Sequence, residues 1–242
     1  MAKKFLEALC DLIYPPVCIL CKRLISAEEK DISLCLSCQN TIEKNLPPFC
    51  QKCSRHLEES LNGDLCHQCT RTPYHFDRVW ATTVYNKTLT RLIHRFKYQN
   101  KTVLRKIFSK LIFSFIKDYH IDLSTFDFIV PIPLHPTRLR ERGFNQAQLL
   151  AESLANELPA TLLINQLLRT HYTRNQALLG KKERWTNIQG AFTIKGSLEF
   201  KGKNVLLIDD LFTTGTTISE AARILKENGA NNVSALTLAI AN

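Results

Sequence analysis

The chemistry of this chain is concentrated in two groups of residues. The first lies in VLLIDDLFTTGTT, residues 205–217, where a run of buried-strand residues ends in Asp209 and Asp210 and then turns through Thr213, Thr214, Gly215, Thr216 and Thr217. A loop that opens a helix presents backbone N–H groups to an anion, the threonine hydroxyls add donors, and Gly215 permits the tight backbone of a phosphate cradle. No G-K-[ST] follows, so this is not a Walker A loop, and a loop without lysine suits a monoester phosphate better than a nucleotide β/γ pair. Two carboxylates aimed at a phosphate would repel it. They make sense facing a sugar's vicinal hydroxyls, a magnesium ion, or positive charge developing on an oxocarbenium-like carbon. A 5-phosphoribosyl group has all of these parts. One Asp and one Thr would satisfy a plain helix cap, and the full string exceeds that need.

The second group is cysteine. Eight of the nine cysteines form four C-x-x-C pairs: Cys18/Cys21, Cys35/Cys38, Cys50/Cys53 and Cys66/Cys69. Each pair is half of a tetrahedral zinc site. Disulfides suit small secreted chains, and four C-x-x-C turns in series are too many for a redox motif. An internal repeat indicates which pairs share an ion: CILCKRLISAEEKDISLCLSC aligns with CQKCSRHLEESLNGDLCHQC, with 13 and 12 residues inside the two units. One zinc is therefore assigned to Cys18, Cys21, Cys35 and Cys38 and another to Cys50, Cys53, Cys66 and Cys69, with an interleaved pairing as the alternative. Four thiolates leave no open coordination position, so both ions are structural, and each site carries a formal charge of about −2. Cys10 is left to pack as a small hydrophobe on a first helix. His56, His67 and His75 lie near the cysteines and are read as solvent-exposed.

These groups need elements to position them. RVWATTVY reads as a strand; KTLTRLIHRFKYQ and TVLRKIFSKLIFSFIKDY place apolar residues at helical spacing. FDFIVPIP is a short buried strand stopped by prolines. NQAQLLAESLANEL is a helix with Asn145 as N-cap, TISEAARILKEN a helix ended by Gly229, and KNVLLIDD and NVSALTLAI are strands. Strands alternating with helices predict a parallel α/β sheet, whose ligands bind at the carboxyl ends of the strands. That edge is where VLLIDD delivers its aspartates. The pattern changes after Pro73, which divides the chain into residues 1–75, a first helix plus a small double zinc-ribbon domain, and residues 76–242, the α/β domain.

Charge follows the same division. Residues 1–75 hold nine basic and nine acidic residues; residues 76–242 hold 23 and 13, and so carry the whole net +10. A positive field favours phosphate-bearing partners, polymeric or small. The run Arg91, Arg95, Lys97, Lys101, Arg105, Lys106 and Lys110, interleaved with Phe96 and Tyr98, has the composition of a groove for single-stranded nucleic acid, although a solvated helix face is the commoner meaning of such a run. No apolar run approaches the roughly 18 residues of a spanning helix. MAKKFLEALCDLIYPP starts like a signal peptide, but Glu7 and Asp11 interrupt its apolar stretch and no small-residue cleavage site follows. It reads as an amphipathic helix closed by Pro15 and Pro16, and the expected location is the cytoplasm.

LLIDDLFTTGTT resembles the phosphoribosyl pyrophosphate (PRPP) motif of type I phosphoribosyltransferases. With the zinc repeat, RFKYQ, VPIPLHPTRLRERGFNQAQLLA and RTHYTRNQALLGKKERWTNIQGAF, nearly the whole chain resembles the ComF family of bacterial competence and DNA-uptake proteins. RFKYQN lacks the glycine that the family carries after Lys97-Tyr98. The resemblance implies a type I phosphoribosyltransferase-like domain in which Asp209 and Asp210 contact the ribose hydroxyls and Thr213 to Thr217 hold the 5-phosphate. It places His135, Arg138, Arg140 and Arg142 where the transferases bind pyrophosphate, and it implies magnesium with PRPP as well as zinc. Three functions stand at this point. One is a PRPP-binding protein that handles incoming single-stranded DNA, meeting uptake-channel or helicase proteins. Another is an active transferase, with Asp209 and Asp210 as catalytic residues and an unidentified base or amine as acceptor. The third is a regulator that senses PRPP.

Overall fold

The computed structural model describes residues 14–30, 33–57, 64–99, 101–172, 185, 187–196 and 200–241. The expected first helix and Cys10 lie outside them. Within the Cys-rich half the repeat is structural as well as sequential. In each unit the first C-x-x-C closes a turn in which Cys18 N–H donates to Arg23 O, or Cys50 N–H to Arg55 O, and the residue after the second cysteine takes a positive φ, Lys22 at 65° and Ser54 at 61°. The second pair in each unit sits at the start of a short helix. Ala27–Lys30 (α1) precedes it in the first unit. Cys35 caps Leu36–Gln39 (α2), and Cys66 caps His67–Arg71 (α3).

The α/β half follows in chain order: Val79–Val84 (β1), Lys87–Tyr98 (α4), Arg105–Asp118 (α5), Phe128–Pro131 (β2), Pro136–Arg142 (α6), Gln146–Ala155 (α7), Thr161–Leu162 (β3), Leu167–Arg169 (β4), Phe192–Ile194 (β5), Asn204–Phe212 (β6), Thr216–Glu227 (α8) and Asn232–Ile240 (β7). The main sheet has the order β1-β7-β6-β2-β3, and every pairing in it is parallel, as the alternation of elements predicts. β4 and β5 form a separate antiparallel pair, and they, α6 and β3 lack a sequence signal long enough to read.

The ribbons do not close cores of their own. Residues alternate across β6, so Leu206 and Ile208 join one apolar cluster while Val205 and Leu207 join another on the opposite face. The first ribbon contributes Cys18, Ile19, Leu20, Leu34 and Cys35 to the cluster built with α4, α5 and α7. The second contributes Cys50, Cys53, Leu57, Cys66 and Cys69 to the cluster built with Tyr74, Phe76 and α8. A ribbon this small cannot bury enough apolar surface alone, so each borrows a face of the sheet. The connection between them covers the outer edge of β1: Val84 N–H donates to Glu43 O, Asn45 N–H to Thr82 O, and the buried Asn45 amide to Ala81 O and Ser54 O.

Candidate functional site

β6 is central because VLLI is apolar on both faces, and its C-terminal half carries Asp209 and Asp210 into a cleft of about 690 Å³. Thr213 to Thr217 form one wall of that cleft. Gly215 adopts φ 76° as the N-cap of α8, and a Cβ there would come within 2.9 Å of Phe212 Cζ and Tyr74 Cε1, so glycine is required twice over. Gly215 has no side chain to cap α8, whose N-terminal dipole favours an anion. The hydroxyls of Thr214 and Thr216 are buried and lie 3.1 Å apart, while Thr213 and Thr217 are half-buried.

The acidic pair is not uniform. Asp210 pairs with Lys97, a residue of α4, by its Oδ2. Burial, then the charge of Asp210, pushes the Asp209 carboxyl up to about 7, with Lys97 pulling the other way. A loop without lysine thus sits beside a lysine delivered by another element.

The opposite wall is cationic. RGFNQ builds it as a corner. Arg142 faces the cleft and donates to Gln146 Oε1 at 2.9 Å, Gly143 ends α6 at φ 80°, Phe144 packs on Phe96 at 5.6 Å, and Asn145 caps α7 while its amide donates to Ile132 O at 3.0 Å. His135 caps α6, its Nδ1 accepting from Thr137 N–H at 3.2 Å. Arg138 lines the cleft and pairs with Glu141 at 2.9 Å. Arg140, expected with them, is exposed and does not line the cleft. Arg169 on β4, which sequence reasoning missed, does. Burial lowers its pKa, Asp209 opposes the shift, and crowding by Arg138 and Arg142 adds to it. Three guanidiniums lining one cleft offer forked donors of the kind that match a multiply charged anion. Arg169 opens the RTHYTRNQ stretch, and that was the signal available for it; residues 173–184 of the stretch lie outside the described residues.

The basic run is dispersed by the fold. Arg91 donates to Leu20 O of the first ribbon, Phe96 is in the core, and Lys97 faces Asp210. Tyr98 stands at the cleft, its hydroxyl accepting from Arg142 at 3.2 Å, and Arg95 is half-buried. Lys101 is exposed, and Arg105, Lys106 and Lys110 line a shallow groove between α5 and α7 with Ser109 and Glu152.

In each ribbon four sulfurs lie within 4.8 Å of one another, in the same two groups of four that the repeat predicts. Cys21 and Cys35 Sγ are 3.7 Å apart, and Cys53 and Cys66 Sγ 3.6 Å. A tetrahedron with Zn–S bonds of about 2.3 Å has edges of about 3.8 Å, so both clusters fit zinc. His56, His67 and His75 are exposed and belong to neither cluster. Among the described residues no helix is long and apolar enough to cross a membrane.

Residues 9–70 match the double zinc ribbon domain family, and residues 144–242 match the phosphoribosyl transferase domain family. The chain is 30% identical to a protein of Haemophilus influenzae called competence protein F over 225 residues, covering 92% of this chain and 96% of that protein. It is 31% identical to competence protein ComFC of Bacillus subtilis, covering 93% and 95%. It is 29% identical to the DNA utilization protein YhgH of Escherichia coli K12, covering 90% and 94%.

Proposed function

The chain belongs to the competence protein F and ComFC family, and from that premise we propose that it is a PRPP-binding protein of DNA uptake that handles incoming single-stranded DNA in the cytoplasm. The observation that carries the PRPP half is that one cleft gathers a phosphate-type loop at Thr213–Thr217, carboxylates at Asp209 and Asp210, and the guanidiniums of Arg138, Arg142 and Arg169. PRPP has a matching set of parts, a 5-phosphate, ribose hydroxyls and a pyrophosphate. The loop N–H groups receive the phosphate, the carboxylates accept from the hydroxyls, and the guanidiniums neutralise the pyrophosphate. Magnesium, bound with PRPP, would neutralise further pyrophosphate charge. Zinc holds the ribbons, and the chain divides near residue 75 into the zinc-held segment and the α/β segment, with Arg55 and Gln68 of the former also lining the cleft.

The DNA half is supported by the family and by the exposed cations Arg105, Lys106 and Lys110 along α5, outside the PRPP cleft. Fluorescence anisotropy of a labelled single-stranded oligonucleotide, with and without PRPP and magnesium over a salt series, tests both halves. Salt-sensitive binding that PRPP alters is the expected result; no binding at low salt sinks the DNA reading.

One observation favours the alternative of an active transferase. The cleft is also lined by Tyr85, Ile93, His94 and Tyr98, with His94 and Tyr98 in ring contact at 4.9 Å, side chains suited to a planar acceptor. Pyrophosphate release from PRPP in the presence of a base or amine would establish it.

A further inference from the structure

The second ribbon touches the phosphate loop at its backbone rather than at its side chains. Arg55, two residues beyond the Cys50–Cys53 turn, donates to Thr213 O at 3.3 Å and to Ala241 O, at the end of β7, at 3.1 Å. Tyr74 donates its hydroxyl to Thr214 O at 2.7 Å, and Gln68, next to the ligand Cys69, donates to both Tyr74 Oη and Thr214 O. Tyr74 is itself clamped by Phe76 at 4.7 Å and Trp185 at 5.8 Å. We propose that the second zinc ribbon is the positioning element of the phosphate loop, with Arg55, Gln68 and Tyr74 setting the direction in which the loop presents its amides. The peptide plane supplies the mechanism: the C=O of one residue and the N–H of the next point in opposite directions. Holding the carbonyls of Thr213 and Thr214 toward the ribbon aims the N–H groups of Thr214 and Gly215 away from it. Gly215 has no side chain of its own to hold such an orientation, and pre-set donors bind an anion without paying to order themselves. A zinc ion held by Cys50, Cys53, Cys66 and Cys69 would act at one remove, keeping Arg55 and Gln68 at fixed positions.

The inference rests on reading Thr213–Thr217 as the phosphate loop, and two measurements keep the two ideas apart. Tyr74→Phe keeps the ring and its stacking; Arg55→Met keeps the apolar stem; Arg55→Lys retains one charged donor. Amide hydrogen exchange on the full zinc-loaded chain is expected to be faster at Thr213–Thr217 in Tyr74→Phe and Arg55→Met, with Val205–Ile208 of β6 as protected as before and two zinc ions still bound. Calorimetric titration with PRPP and magnesium is expected to show roughly tenfold weaker binding, the loss of about one hydrogen bond's worth of orientation, with Arg55→Lys in between. Loop exchange unchanged from wild type overturns the proposal. So does loosening that spreads equally into β6 or releases zinc, which is what packing alone would give. If the wild-type chain binds no PRPP, the functional reading fails, and the exchange arm still decides this one.

Discussion

Lys97 Nζ and Asp210 Oδ2 form an ion pair in the lining of the cleft, joining the helix that follows β1 to the strand end that carries the acidic pair. Lys97 therefore lines the same cleft as the aspartates, and its position there explains how two adjacent carboxylates coexist: one is matched by an ammonium, and the other is left to hold a proton near neutrality.

Breaking that pair has a predictable cost. Lys97 and Asp210 side chains are 17% and 9% exposed, and removing one member of a pair this buried costs about 3 kcal/mol. Lys97→Met should lower the thermal midpoint by roughly 6–12 °C in a chain of this size. Adding Asp210→Asn should recover much of the loss, because no unmatched charge remains. A Lys97→Met midpoint equal to that of the wild type would show that the pair contributes nothing.

Gly215→Ala combines a left-handed backbone with a Cβ 2.9 Å from two aromatic rings. The φ strain alone is about 1–2 kcal/mol. PRPP affinity should fall more than about tenfold on these grounds, since the loop cannot keep its course past Phe212 and Tyr74. Wild-type affinity in a calorimetric titration would remove the loop from the binding site.

The Asp209 carboxyl is raised from 3.8 to about 7, mainly by burial. The folded chain then keeps a proton that the unfolded chain releases between about pH 4 and 7, so this group's contribution to stability falls as pH rises through that window and stays low above it. Asp209→Asn removes the effect. Its midpoint relative to wild type should rise between pH 6 and pH 8 by at least about 2 °C, the shift that roughly 1 kcal/mol makes here. A difference flat across that range would place the proton elsewhere.

Because the ribbons lie on opposite faces of the sheet, losing one zinc should be felt on one face. Cys35→Ser should lower amide protection in α4 and α5, and Cys66→Ser in α8 and the Thr213–Thr217 loop, each variant retaining one of two metals by elemental analysis. Identical exchange maps for the two variants would mean that the faces are not independently supported.

Lys106→Gln and Lys110→Gln should each reduce the salt slope of single-stranded DNA binding by about 0.7, leaving PRPP affinity unchanged. An unaltered slope would put the DNA contact elsewhere on the molecule.

What the chain discloses by itself is whatever short-range pattern dictates. Period-2 and period-3.6 apolar spacing located β1, β2, β6, β7, α4, α5, α7 and α8, and the repeat of C-x-x-C units foretold which four sulfurs meet, because each ribbon closes over 12 or 13 residues. The Asp-Asp and Thr/Gly string marked the cleft for the same reason: strand, turn and helix start are contiguous. Long-range packing decided the rest. Whether Lys97 serves solvent, a nucleic acid or Asp210 depends on how α4 is rolled against the sheet, and Leu89, Leu92, Ile93 and Phe96 set that roll by burying one stripe of the helix. Arg169 sits on a strand too short to read, and it meets Arg138 and Arg142 only when β4 is in place. The contact between Arg55 and Thr213 depends on which face of the sheet receives the second ribbon. Local pattern determined the elements and the metal clusters; only the closing of two cores on one sheet decided which charges face each other, because an ion pair or a carbonyl clamp is made between segments whose sequences carry no mark of one another.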